Sequence, residues 1–195
     1  MHGLINRAIQ AFVCATYGES RWLDVMHVAN LGFTEFEAML IYTPEQSAIL
    51  LQSLERILER PLPEMLEDMG TFLVSNPEVE SLRRLLRFGG VTYVEFLHSL
   101  DDLPDRARLA VSDLNLPPLE LLDHGQGRFS LLCQSGLAGY GSVMMGVLRA
   151  MADDYGDLVF LEHSGQREGA EVISVTLVET DFAEGRSFDL GARAL

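Results

Sequence analysis

The sequence predicts an α+β fold, a helical N-terminal half followed by a ββαββ unit built on an antiparallel sheet. Three observations predict it. Apolar residues recur with a helical period from Leu4 to about Leu103. Two short apolar runs, Leu119–Asp123 and Phe129–Cys133, then flank a glycine-rich turn. A last amphipathic stretch, Gly139–Tyr155, precedes two further strand-like runs.

In order, the first helix runs from Leu4 to Tyr17, with Ile5, Ile9, Phe12 and Val13 on one face and Gly18 as its stop. A second covers Ser20 to about Asn30, carrying Trp22, Val25 and Met26 inward. Thr43-Pro44-Glu45-Gln46 is a start signal: a hydroxyl cap, proline in the first turn, and glutamine placed to reach back. That helix ends near Arg60, before Pro61 and Pro63, and Pro63-Glu64 opens the next, through Leu73. Glu78–Phe88 follows, then Gly89-Gly90, then Thr92–Leu103. Leu103-Pro104-Asp105-Arg106 is a place for one helix to end and another to begin. His124-Gly125-Gln126-Gly127 is the hairpin turn between the first two strands. Leu158–His163 and Glu171–Val178 are the last two, joined by Ser164–Gly169. The expected organisation is one domain over residues 1–180, mainly helical over 1–90 and carrying the sheet over 91–180, with a loose tail at 181–195.

The chain has 195 residues and a formal charge of −15, and all 14 of its basic residues are arginines. That balance argues against a nucleic-acid surface and against docking on an anionic membrane. No stretch matches a membrane span, and Asn6, Arg7 and Gln10 interrupt the apolar start, so neither a span nor a leader is expected. Cys14 and Cys133 are far apart and form no metal or disulfide pattern, which fits a cytoplasmic, reducing setting.

The residues themselves point to no enzyme. The five histidines are scattered, without metal-binding spacing. Asp101-Asp102 and Asp153-Asp154 are sequence neighbours, which on a helix do not face each other. Gly136, Gly139 and Gly141 precede a helix, but no lysine follows to complete a phosphate loop.

Several segments in order are similar to the haem nitric-oxide/oxygen-binding (H-NOX) family over roughly residues 1–180. Met1 and Gly3 open a helix that ends in Tyr17-Gly18, with Trp22 shortly after. Phe96-Leu97-His98-Ser99-Leu100-Asp101-Asp102-Leu103 resembles the family's F-L-x-x-L-D segment, and Pro117-Pro118 its proline pair. Gly146–Ala152 through Tyr155-Gly156 resembles the family's late helix. The resemblance implies an iron-ligating histidine just after the L-D segment, where this chain has Pro104. It also implies a Y-x-S-x-R run that holds the haem propionates; the matching positions are Cys133, Ser135 and Leu137, so only the serine is kept.

Haem b (heme b) is therefore implied by resemblance only, and no cofactor is indicated by the residues. His98 is an alternative ligand, but six positions before Pro104 it lies about 240° around a helix. His124 is another, with Arg106, Arg108 or Arg128 as propionate partners. Phe72, Phe96, Pro117, Tyr140, Met144 and Met145 either line a small apolar pocket or fill it. The expected function is a non-enzymatic sensory or regulatory domain in bacterial-type cytosolic signal transduction, without histidine-ligated haem. The alternatives are a gas sensor with a non-standard haem ligand and a binder of small hydrophobic ligands similar to vinyl-reductase-like domains. The resemblance implies a signalling partner such as a histidine kinase or a cyclic-dinucleotide enzyme.

Overall fold

A computed structural model describes residues 1–77 and 80–188. They form two compact units, Met1–Met69 and Gly70 onward. The division falls inside a helix at 69/70 rather than at the expected 90/91. The reason is that the helix at 80–87 buries Leu86 in the core cluster of the second unit.

The first unit contains α1 (Gly3–Tyr17), α2 (Glu19–Ala29), α3 (Pro44–Leu58) and the start of α4 (Leu62–Ser75). His2 caps α1, its ring Nδ1 accepting the Leu4 N–H. Asn30, in the left-handed region at φ 49°, closes α2. The predicted capping box at Thr43 and Gln46 is formed, with both reciprocal bonds present. The α2–α3 connection folds under itself: Phe33, Phe36 and Tyr42 form an aromatic cluster, and the Trp22 indole N–H donates to the Thr34 carbonyl over 2.9 Å.

The second unit starts with the remainder of α4, then α5 (Glu80–Arg87), α6 (Tyr93–His98), a 3-10 turn at Leu100–Asp102 and α7 (Leu103–Ala110). The single helix expected over Thr92–Leu103 is broken at Ser99. There the Ser99 hydroxyl donates to the Phe96 carbonyl over 2.7 Å. Pro104 sits in the first turn of α7, where its missing N–H costs nothing.

The sheet has the order β1-β2-β4-β3, all antiparallel, from β1 (Leu119–Asp123), β2 (Arg128–Cys133), β3 (Leu158–Arg167) and β4 (Ala170–Glu179). The last hairpin is longer than expected, because Arg167 pairs with Ala170 across a two-residue turn. Glu168 and Gly169 take φ of 53° and 86° there, the signature of a type I′ turn. The register slips between His163 and Gln166.

Helix α8 (Tyr140–Tyr155) packs on β3 and β4. Leu131, Leu148, Met151 and Ile173 are fully buried in the shared core. Gly70 makes α4 fit α8: a Cβ at that position would collide with the Val143 carbonyl oxygen.

The segment after β4 was expected to be loose, and up to residue 188 it is held. Ala183 N–H donates to Gly156 O over 3.0 Å, and Arg186 N–H to Asp154 O over 2.9 Å. Residues 189–195 of that expected tail lie outside the described residues. No helix among the described residues is long and apolar enough to cross a membrane.

Candidate functional site

The positions singled out by sequence all fall in the second unit, so its own elements decide how they are placed. Pro104 is buried in the first turn of α7, behind Leu103 and ahead of Ala107. A proline side chain is saturated carbon, and it offers iron no lone pair.

Cys133, Ser135 and Leu137 lie at and just beyond the end of β2. Cys133 is buried in the core cluster, 1% exposed. Burial, with a smaller contribution from Glu171, pushes its thiol up to about 12, so it stays neutral. Ser135 is exposed, and Leu137 packs partly buried against the core. None of the three brings a cation.

The N-terminus of α8, just beyond, already faces an anion. The Glu171 carboxylate accepts the Gly141 N–H through one oxygen over 3.3 Å. Its other oxygen lies 3.0 Å from His163 Nε2. The positive end of the helix is thus taken by a side chain of this chain, and a second carboxylate there would meet like charge. Sequence reasoning missed Glu171 and His163; their signal was their register opposite the helix start, which the sequence alone does not reveal.

The substitute ligands are also placed. His98 closes α6 on the surface, half exposed, with Nε2 3.5 Å from Asp123 Oδ2 and its ring edge-on to Phe129 at 5.9 Å. His124 is in the exposed β1–β2 turn, 2.8 Å from the Ser130 hydroxyl. Neither is brought to Pro104 by any contact described. Arg106 is spent within the fold: it donates to Leu85 O at 3.2 Å and to Ser99 O at 2.7 Å. Burial lowers its pKa. Arg108 pairs with Asp105 at 3.2 Å, and Arg128 is exposed at the start of β2.

The proposed pocket residues Phe96, Tyr140, Met144 and Met145 are buried in the core of the second unit. Pro117 is buried and Phe72 half-buried. The Tyr140 hydroxyl is buried without a hydrogen-bond partner, and burial raises its pKa. In the first unit a cavity of about 10 Å³ lies between Phe12, Leu54 and Met65. A surface cleft of about 180 Å³ lies beside Tyr17, Arg21 and Glu59. Both are smaller than the roughly 300–1,000 Å³ of cofactor pockets. Among the described residues no group of three histidine, cysteine or acidic side chains could hold a metal ion. Where the family resemblance puts the iron ligand and the propionate partners, the residues present do not fit histidine-ligated haem: Pro104 brings no imidazole, and Cys133, Ser135 and Leu137 bring no arginine.

The fold and these positions can be set beside known proteins. The haem-NO-binding (HNOB) family model matches residues 2–163. The soluble guanylate cyclase gcy-31 of Caenorhabditis elegans is 23% identical over 154 residues, 79% of this chain and 22% of that protein. The soluble guanylate cyclase 89Db of Drosophila melanogaster is 18% identical over 155 residues, 80% of this chain and 23% of its own length. The chain thus spans about a fifth of these relatives. Among solved structures, the Fe(II) unliganded H-NOX protein from K. algicida superposes with a TM-score of 0.80 at 15% identity, covering 94% of this chain and all of that one. The H-NOX protein from S. oneidensis in its Fe(II)NO state gives 0.77 at 14%, covering 92% of this chain and 100% of that one. The fold class and the family resemblance read from the sequence both hold, and with its family model matched over most of its length the chain belongs to the haem-NO-binding family, as a sensory domain rather than an enzyme.

Proposed function

We propose that this chain works in signal transduction without histidine-ligated haem, as a regulatory domain whose iron site has been replaced. The observation that carries this reading is Pro104, buried in the first turn of α7, where the family resemblance puts the ligand histidine. Three others agree with it. Cys133 is a neutral buried thiol, Leu137 is apolar, and Glu171 occupies the helix end beside them.

In a haem-bearing member the iron–histidine bond couples ligand binding to the proximal helix. Pro104 makes no such bond, so any signal passes through packing and surface contacts. The partner is a signalling protein. The names of the relatives suggest a cyclase; the family resemblance also suggests a histidine kinase or a cyclic-dinucleotide enzyme. The setting proposed is the cytosol, in keeping with the two unpaired cysteines. Titration of the purified protein with haemin, followed in the Soret region, tests this reading.

A second reading has one observation in its favour. A buried hydroxyl without a partner, as at Tyr140, is rare and calls for a water or a ligand atom. A small, mostly apolar ligand with one polar group would satisfy it. Mass spectrometry of organic extracts from the purified protein separates this reading from an empty domain.

A further inference from the structure

The connection between α2 and α3 presents three consecutive large apolar side chains to solvent: Met39 at 71% exposure, Leu40 at 49% and Ile41 at 66%. Isolated exposed apolar residues are ordinary, but a contiguous group is not. Leu4, one residue beyond the Gly3–Leu40 contact, is exposed beside them at 37%.

This tip is held rigidly. Gly3 N–H donates to Leu40 O over 2.7 Å, Leu40 N–H to Glu37 O over 3.2 Å, and Tyr42 N–H to Met1 O over 2.9 Å. The Glu37 N–H donates to the Tyr42 hydroxyl over 2.8 Å. His2 and Ile41 form a β-bridge. A side chain at Gly3 would strike the Glu37 and Leu40 carbonyls, so the backbone beneath the tip is already at closest approach. The space inside is taken by Phe36 and Tyr42, both buried. Pinned from within, the three side chains cannot turn inward.

The charge around the tip selects its partner. Between Arg21 and Arg56 the sequence has no arginine and five carboxylates. Glu35, Glu37 and Glu45 flank the tip and are exposed. Hydrogen bonds from its own backbone and from Thr43 lower the pKa of Glu45, keeping it ionised. The Met1 ammonium, which donates to the Tyr42 carbonyl beside Ile41, is a cation at the tip that offsets them in part. A second copy of this chain, at −15, would bring carboxylates against carboxylates.

We propose that Met39, Leu40 and Ile41 with their rim of Glu35, Glu37 and Glu45 are a docking site for a protein face that is apolar at its centre and basic at its edge. The proposal goes beyond the reading of the haem positions and does not depend on it.

The test uses the whole chain and a fluorescent helical peptide of about 18 residues built from leucine and lysine, with its leucine–glutamate counterpart as control. Binding is followed by anisotropy. The leucine–lysine peptide should bind at least ~10-fold more tightly than the control. The double variant Met39→Ser/Ile41→Ser should weaken it by about tenfold or more, with circular dichroism and melting unchanged because both side chains are in solvent. Glu35→Gln/Glu37→Gln should weaken it several-fold and flatten its salt dependence. Phe88→Ser/Val91→Ser, at another exposed apolar pair, should leave it unchanged. The proposal is overturned by equal binding of the two peptides, by no binding of the basic one, or by undiminished binding to the Met39→Ser/Ile41→Ser variant. It is equally overturned if that variant abolishes a dimer formed by the parent chain, because the tip would then be a self-contact.

Discussion

Arg83 on α5 donates through Nε to the Asp154 carboxylate on α8 over 2.7 Å, and both side chains are buried. The pair is the centre of a larger clasp. Arg87 reaches the same carboxylate at 3.6 Å and lies over the Tyr155 ring at 3.9 Å. Arg186, from the segment after β4, reaches it at 3.8 Å. One buried acid thus ties the last turn of α8 to α5 and to the C-terminal strap. Removing the acid strands buried guanidinium groups, which typically costs ~3–5 kcal/mol. Asp154→Ala should therefore lose most of the stability of this unit in urea unfolding. Arg186→Ala, at a half-exposed site, should cost no more than ~1 kcal/mol.

The ionisable groups buried in the second unit make it sensitive to alkali. Burial raises the Cys133 thiol to about 12, and burial, partly offset by Arg87, raises the Tyr155 hydroxyl to about 12. Both are neutral when folded, whereas the unfolded chain ionises them near their ordinary values of ~8.5 and ~10. Above those values the native state holds more protons than the unfolded one, so stability falls as pH rises. The stability is intact below about pH 8.5 and is lost toward pH 12, by up to ~1.4 kcal/mol per pH unit for the buried thiol and by less for the partly buried Tyr155, where solvent screens the effect. Melting temperatures from pH 7 to 11 should fall from about pH 9 upward, and Cys133→Ala should reduce the slope. A flat profile would show that these groups are not buried as described.

Gly70 is a glycine that alanine should not improve. Inside a helix, Gly→Ala ordinarily gains ~1 kcal/mol. Here the new methyl would meet the Val143 carbonyl and the Gly146 Cα of α8. Gly70→Ala should instead destabilise by ~1–3 kcal/mol, read as a lower urea midpoint.

Pro104→His puts an imidazole where the family resemblance places the iron ligand, and changes nothing else. Cys133 and Leu137 still bring no charge, and Glu171 still sits at the helix end. The single variant should show no tight five-coordinate haem spectrum. A clean one would show that tight binding does not need cations at the propionate positions.

How far the sequence reveals this molecule depends on the range of the forces involved. The capping box at Thr43 and the turn at Gly125–Gly127 are local, and both are formed where residue chemistry puts them. The break at Ser99 was not legible, because it is held by Arg106 reaching back to Ser99 O. The strap at 183–186 was missed because its backbone bonds go to Gly156 and Asp154, far back in the chain. At the candidate site, the identities at Pro104, Cys133 and Leu137 were readable as departures from the family pattern. That Glu171 would take the end of α8 was not, since it needs the register of β4 against β2 and β3.

The central claim is that the iron site has been replaced, and haem titration of the unmodified protein tests it most directly. Haemin added under reducing conditions should give only a broad, weak Soret band that passes to apomyoglobin at once. A sharp Soret band saturating at one equivalent, and lost in His98→Ala or His124→Ala, would contradict it.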